Sequence, residues 1–258
     1  MTQRIIDAHV HLDMYSDKAQ EQILKELNTF HIDHLISVSN HVSSARTNLQ
    51  LAHQNQRVKP AIGFHPEQKL PDEEELQQLF SLIDRNKEDI TAIGEVGLPY
   101  YLRKDAPSLK LQPYVDLLEH FIQIAVKLNK PIILHAIYED ADLACDLLEK
   151  YDFHKAHFHW FKGSPATIQR MMNNQYFISV TPDCLYESEI QQLIEQYPLR
   201  LMMVETDGPW PFEGIFKDKL THPKMIHQSM MTISKLKGVA LDEVYQQLYQ
   251  NTIRFYGD

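Results

Sequence analysis

Eight short β-branched runs alternate with longer amphipathic segments along the chain, and this alternation limits the fold more than any other feature. The runs are Arg4–Val10, His34–Ser39, Val58–Phe64, Ile90–Val96, Pro131–Ala136, Lys155–Trp160, Tyr176–Val180 and Leu199–Glu205. Between them, apolar residues recur at i, i+3 and i+4, the spacing of one helix face. Ala19–Phe30 shows Ile23, Leu24, Leu27 and Phe30; Glu73–Ile83 shows Leu76, Leu79, Phe80 and Ile83; Gln112–Leu128 shows Leu117, Leu118, Phe121, Ile124, Ala125 and Leu128. Pro71, Pro107 and Pro165 stand just before or at helix starts, where proline costs little. Near-continuous apolar strands such as PIILHA and LMMVE imply a parallel sheet covered on both faces. Eight units in 258 residues is about 32 per unit, close to the spacing of a TIM (β/α)8 barrel. A doubly wound open sheet would place a glycine-rich turn after the first strand, and here that strand ends in HVHLD. The expectation is an α/β TIM barrel, one domain over residues 1–258, with Leu241–Phe255 as an extra C-terminal helix.

The charge balance, 25 Lys and Arg against 35 Asp and Glu for a net −10, disfavours a protein that holds nucleic acid by phosphate neutralisation alone. It leaves room for an enzyme that touches a phosphodiester briefly through bound metal. Cys145 and Cys184 are too few and too far apart for a disulfide framework. The opening MTQRIIDAHVHLDMY lacks the apolar core of a signal peptide, and no apolar run approaches the roughly 20 residues that span a bilayer. A soluble, cytoplasmic protein with no membrane partner is expected. The oligomeric state stays open.

Fourteen histidines are the compositional oddity. His9 and His11 lie two apart at the end of the first strand, so both imidazoles face the same side. His135 closes PIILH, His159 closes AHFH, Glu95 closes AIGE, Asp207 follows LMMVET and His65 ends AIGFH. Metal-capable side chains thus recur at the C-terminal ends of six strands, the barrel edge where active sites are built. One HxH pair is a weak signal; recurrence at strand after strand is a strong one. His31, His34, His53, His120, His154 and His222 are read instead as solvated or helix-flanking. The acidic run Asp72–Glu75, with Glu187 and Glu189, is read as helix N-terminal charge that complements the dipole. Mixed His, Glu and Asp ligands without thiolate suit Zn²⁺, Mn²⁺ or a similar divalent ion. Six ligands exceed what one zinc takes, and Glu95, central in the order, is suited to bridging two ions.

These residues sit in the segments DAHVHLD, GFHPE, IGEVGLPYY, KPIILHA, FHWFKGS, VETDGPW and NTIRFYG. Together the segments resemble the TatD-type metal-dependent hydrolases of the amidohydrolase superfamily, and the resemblance runs from the first strand to the last helix. It implies a TIM barrel with one to three divalent ions (two here, of Zn, Mn or Mg) and hydrolysis of phosphodiester bonds in DNA. Position by position, it implies that His9, His11, Glu95 and Asp207 bind one ion and that Glu95, His135 and His159 bind the second. Asp207 would also be the general base, making Asp207 and Glu95 the catalytic pair. His65 and Lys162 are the expected substrate contacts.

The departures bear on substrate. Where the family reads GLDYY this chain has GLPYY, with Pro99 at an acidic position. A strand-5 HSR or HDR becomes HAI, so Ile137 replaces an arginine suited to phosphate. HCFSG becomes HWFKG, and the basic RGxxN stretch after ETD is replaced by WPFEGIFKDKLTHP. Lys162, Lys217 or Lys219 are candidates to restore a cation. The leading expectation is a phosphoesterase or deoxyribonuclease acting transiently on a nucleic-acid end or a small phosphorylated molecule. Its rivals are an amidohydrolase or lactonase on a small non-phosphate substrate, and a metal-holding scaffold without catalysis.

Overall fold

The computed structural model describes residues 3–257. Eight parallel strands run in sequence order, each paired with the next: β1 (Ile5–Val10), β2 (Ile32–Val38), β3 (Val58–Ile62), β4 (Ala92–Gly97), β5 (Ile132–His135), β6 (Ala156–Phe158), β7 (Phe177–Val180) and β8 (Met202–Val204). The segment leaving β8 returns to β1. The Asp207 amide donates to the His9 carbonyl at 2.9 Å, and the His11 amide donates to the Gly208 carbonyl at 2.8 Å. Asp7 reinforces this seam by accepting from the Thr206 amide at 2.9 Å and from the Thr206 hydroxyl. The result is the expected TIM barrel, with helices between the strands.

The amphipathic segments become helices where the apolar spacing ran. Gln112–Leu128 and Glu73–Arg85 agree with it to within a turn. The first helix is Asp17–Glu26, earlier than the periodicity placed it, because the Ser16 side chain accepts from the Ala19 amide and fixes the start. Pro165 opens the helix Pro165–Asn173 and Pro71 precedes the Asp72 cap of Glu73–Arg85. Pro107 differs: it lies in the turn between helices Tyr100–Asp105 and Gln112–Leu128. Glu187 and Asp72 hold helix N-termini, as their charge suggested.

The last helix, Leu241–Tyr256, closes the barrel floor. Its Tyr249, Ile253 and Tyr256 pack against Ile6, Ile36, Ala61, Ala92 and Ile133 from the strands. Above that floor, the Tyr256 hydroxyl is 2.6 Å from His157 Nδ1, and His157 Nε2 is 2.5 Å from Ser179 Oγ. Two glycines let the strands approach at the mouth. A β-carbon on Gly97 would overlap the His135 carbonyl oxygen, and one on Gly63 would meet the Glu95 carbonyl. No helix among the described residues is long and apolar enough to cross a membrane.

His222, expected to be solvated or helix-flanking, flanks a short helical turn and is buried. Its Nδ1 accepts from the Lys224 amide at 3.0 Å and so caps the short turn Pro223–Met225. An accepting nitrogen cannot also carry a proton. Burial, aided by the Lys224 charge and opposed by Glu26, pushes its pKa down to about 4. Unfolded, the same group titrates near 6.5. The unfolded chain therefore binds a proton first as pH falls, and stability drops between about pH 6.5 and pH 4, by roughly 3 kcal/mol at the lower end. Urea unfolding of wild type and His222→Gln across this window measures it. The variant is expected to lose part of the slope, and an unchanged slope would contradict the assignment.

Candidate metal centre

Strand ends bring the acidic and imidazole side chains to one point in the barrel mouth. His9 lies within β1 and His11 one residue beyond it; Glu95 is in β4, His135 ends β5, and His159 follows β6. Asp207 and His65 stand on the loops after β8 and β3. Glu95 is fully buried, and His9, His11, His135 and His159 are nearly so. Asp207 has a left-handed backbone, φ 49°, as does Trp160, φ 41°. Such conformations cost on the order of 1 kcal/mol or more for a residue with a side chain. Hydrogen bonds offset this: the Asp207 amide is held by His9, and the Trp160 amide donates to Glu205 Oε1 at 2.9 Å.

The two oxygens of Glu95 face different sets of partners. Oε2 lies 3.2 Å from His9 Nε2 and 3.3 Å from His11 Nε2. Both of those nitrogens lie 3.4 Å from Asp207 Oδ1 and 3.4 Å from each other. Ligands at about 2.0–2.1 Å from one tetrahedral divalent ion stand about 3.3–3.4 Å apart. The five separations in this set match that edge length. Oε1 faces the second set: His159 Nε2 at 2.6 Å, His135 Nδ1 at 3.3 Å and His65 Nε2 at 3.4 Å. Neither Glu95 oxygen, nor Asp207 Oδ1, has a hydrogen-bond partner although all three are buried. Orphaned buried carboxylate oxygens are costly, and a cation at each Glu95 oxygen would satisfy them. The donors therefore fit a divalent metal centre, with Glu95 facing both groups of side chains.

The electrostatics agree. Burial raises the pKa of a carboxyl, yet the surrounding imidazoles outweigh it and hold Glu95 well below its ordinary value; Asp207 is lowered for the same reason. Both stay ionised. Burial lowers His9 and His65, which favours the neutral, ligating imidazole. In His11 burial is overcome by Asp207 and Glu95, which lift its pKa to about 10. Protons held this way leave when a metal binds.

Three acids outside the expected set hold these side chains in place. Glu67 Oε1 is 3.1 Å from His135 Nε2, while its two oxygens accept the Tyr101 and Leu102 amides at 2.9 and 2.6 Å. It thereby aims Nδ1 of His135 at Glu95 and docks the first turn of the helix Tyr100–Asp105. Glu205 accepts from the Ser179 hydroxyl and the Trp160 amide, with Oε1 3.7 Å from His159 Nδ1. Asp7 anchors the loop that carries Asp207. The signal for all three was weak: an acid in GFHPE, in VETD and in the first apolar strand.

A cavity of about 450 Å³ opens beside the cluster, lined by His65, His135, His159 and Asp207. Aromatic side chains (Tyr101, Trp160, Tyr186, Trp210 and Phe212) and the acids Glu67, Asp183 and Glu187 form the rest of its wall, with Lys162 as its one lysine or arginine. Of the three candidate lysines, Lys162 is the one that reaches the cavity. Lys217 faces Glu213 at 4.0 Å, and Lys219 donates to the Ile215 carbonyl. Pro99 and Ile137 are buried and lie off the cavity wall. Neither position forms part of the cavity's surface.

Residues 6–257 match the family described as TatD related DNase. An uncharacterized metal-dependent hydrolase of Haemophilus influenzae is 38% identical over 253 residues, covering 98% of this chain and 99% of that one. Human deoxyribonuclease TATDN3 is 28% identical over 261 residues, covering 98% and 94%. The crystal structure of YjjV, the TatD homologue of Escherichia coli K12, superimposes with a TM-score of 0.89 at 25% identity, covering 100% of both chains.

Proposed function

The chain belongs to the TatD-related DNase family of metal-dependent hydrolases, and from that premise we propose that it hydrolyses phosphodiester bonds at a nucleic-acid end or in a small phosphorylated molecule. The observation that carries this reading is the division of Glu95, one oxygen toward His9 and His11, which Asp207 also faces, and the other toward His135 and His159. His9, His11, Glu95 and Asp207 would hold one divalent ion. Glu95, His135 and His159 would hold the second, with His65 in reach of the same oxygen. The imidazole-rich donors suit Zn²⁺ or Mn²⁺ better than Mg²⁺.

Divalent metal held by these residues would supply Lewis acidity at the phosphoryl group and a more acidic water. Asp207 is the member of the first set that reaches the cavity, so it takes the proton as the water oxygen bonds to phosphorus and the P–O bond to the leaving alkoxide breaks. Glu95, sealed from solvent, keeps the two halves in register. Lys162 pairs with a phosphate oxygen. The net charge of −10 and the acids on the cavity wall support brief contact with the substrate rather than stable nucleic-acid binding. Two buried, unpaired cysteines support a cytoplasmic location.

Protein loaded with Mn²⁺, Zn²⁺ or Mg²⁺ is to be incubated with single-stranded oligonucleotides, an aryl phosphodiester, and a panel of lactones and cyclic amides. Turnover of the phosphodiesters is expected. Turnover confined to the lactones or amides, or none with any of the three metals, would overturn the reading.

A further inference from the structure

The cavity wall opposite the metal cluster has its own chemistry. Trp160 is held at three points. Its indole Nε1 donates to Asp183 Oδ2 at 2.8 Å, its amide donates to Glu205, and its neighbour His159 belongs to the cluster. Asp183 is itself buried and tied to the Thr181 hydroxyl. The indole is therefore a fixed plane next to the reacting group. Tyr101 lies across from it, its ring 29° from parallel and its centroid 6.2 Å away. A planar ring stacked between two others needs about 6.8 Å between them, twice the base-stacking spacing. Tyr101 stands on the short helix Tyr100–Asp105, whose backbone Glu67 holds, while its side chain is exposed, so a turn of the ring alone would bring the spacing from 6.2 Å to that value.

The charges narrow what fills it. Lys162 Nζ sits 4.5 Å from the centre of the Trp160 ring, while Glu67, Asp183 and Glu187 also line the cavity. One cation against these three carboxylates, with Asp207 a fourth beside the metal cluster, favours one phosphate near the metals over a second. A stacked aromatic ring beside a single phosphate is the chemistry of one nucleotide with its base unpaired.

Resting on the hydrolase reading above, we propose that Trp160 determines specificity by stacking one unpaired nucleobase of the substrate against Tyr101, while Lys162 meets that nucleotide's phosphate. Duplex nucleic acid cannot use the slot until its terminal base is freed. Base–aromatic stacking of this kind is worth on the order of tenfold or more in affinity.

The chain's two tryptophans, Trp160 and Trp210, both line this cavity, so intrinsic fluorescence reports on it directly. Trp210→Phe leaves Trp160 as the sole reporter. An uncharged nucleoside such as thymidine or adenosine is expected to quench it saturably, and the absence of quenching would overturn the proposal. Kinetically, wild type is expected to prefer a dinucleotide over its abasic counterpart by about tenfold or more in kcat/KM. That ratio should fall toward one in Trp160→Ala and persist in Trp160→Phe. A ratio near one in wild type, or one unmoved in Trp160→Ala, would sink the stacking role. If no phosphoester is cleaved at all, the hydrolase reading fails, while the quenching titration still decides the slot.

Discussion

Glu95→Ala is expected to lower kcat by at least about 10³-fold and to remove the metal dependence of stability. Glu95 is the one side chain that both donor sets share. Taking it away unties two sites at once, and each ion supplies several kcal/mol of charge stabilisation during the displacement. The same loss appears in folding. A ligand present at 100 times its dissociation constant stabilises the native state by about 2.7 kcal/mol. For a chain of this size that corresponds to roughly 5–10 °C in Tm. Wild type should lose this margin when stripped by EDTA, and the variant should show no margin to lose. The comparison with and without metal separates ligand loss from the cavity that the substitution leaves. An EDTA-sensitive Tm in Glu95→Ala equal to that of wild type would contradict the bridging role.

Asp207→Asn is expected to reduce kcat by about 10²–10⁴-fold with KM changed much less, the signature of a lost general base. The substitution keeps the shape and retains an oxygen near His9 and His11. It removes the negative charge that the surrounding imidazoles maintain on Asp207. The second donor set, Glu95 with His135 and His159, is untouched, so metal should be retained in part. Single-turnover kinetics alongside metal analysis tests this. A rise in KM with kcat preserved would assign Asp207 to binding alone.

The barrel was legible because its signals are periodic and local. Each strand is a short apolar run, and the site residues fall at strand ends where a parallel barrel must gather them. Helices with small or polar faces were harder: Val42–Gln54 buries Ser44, Ala45 and Asn48, which make a poor apolar stripe. The supporting acids were out of reach for another reason. Glu67 acts on amides 34 and 35 residues away, and Asp7 on Thr206 at a separation of 199. Nothing in the neighbouring sequence marks such partners. The burial of His222 is non-local in the same way, since it rests on the distant Phe30 and Glu26. The aromatic wall at Trp160 and Tyr101 likewise joins a loop and a short helix that only the closed barrel brings together.

The paired centre is tested most directly by elemental analysis of purified protein, wild type beside Glu95→Ala. About two divalent ions per wild-type chain, and essentially none in the variant, is the predicted result. No bound metal in wild type, or equal metal in both proteins, would contradict a centre built on Glu95.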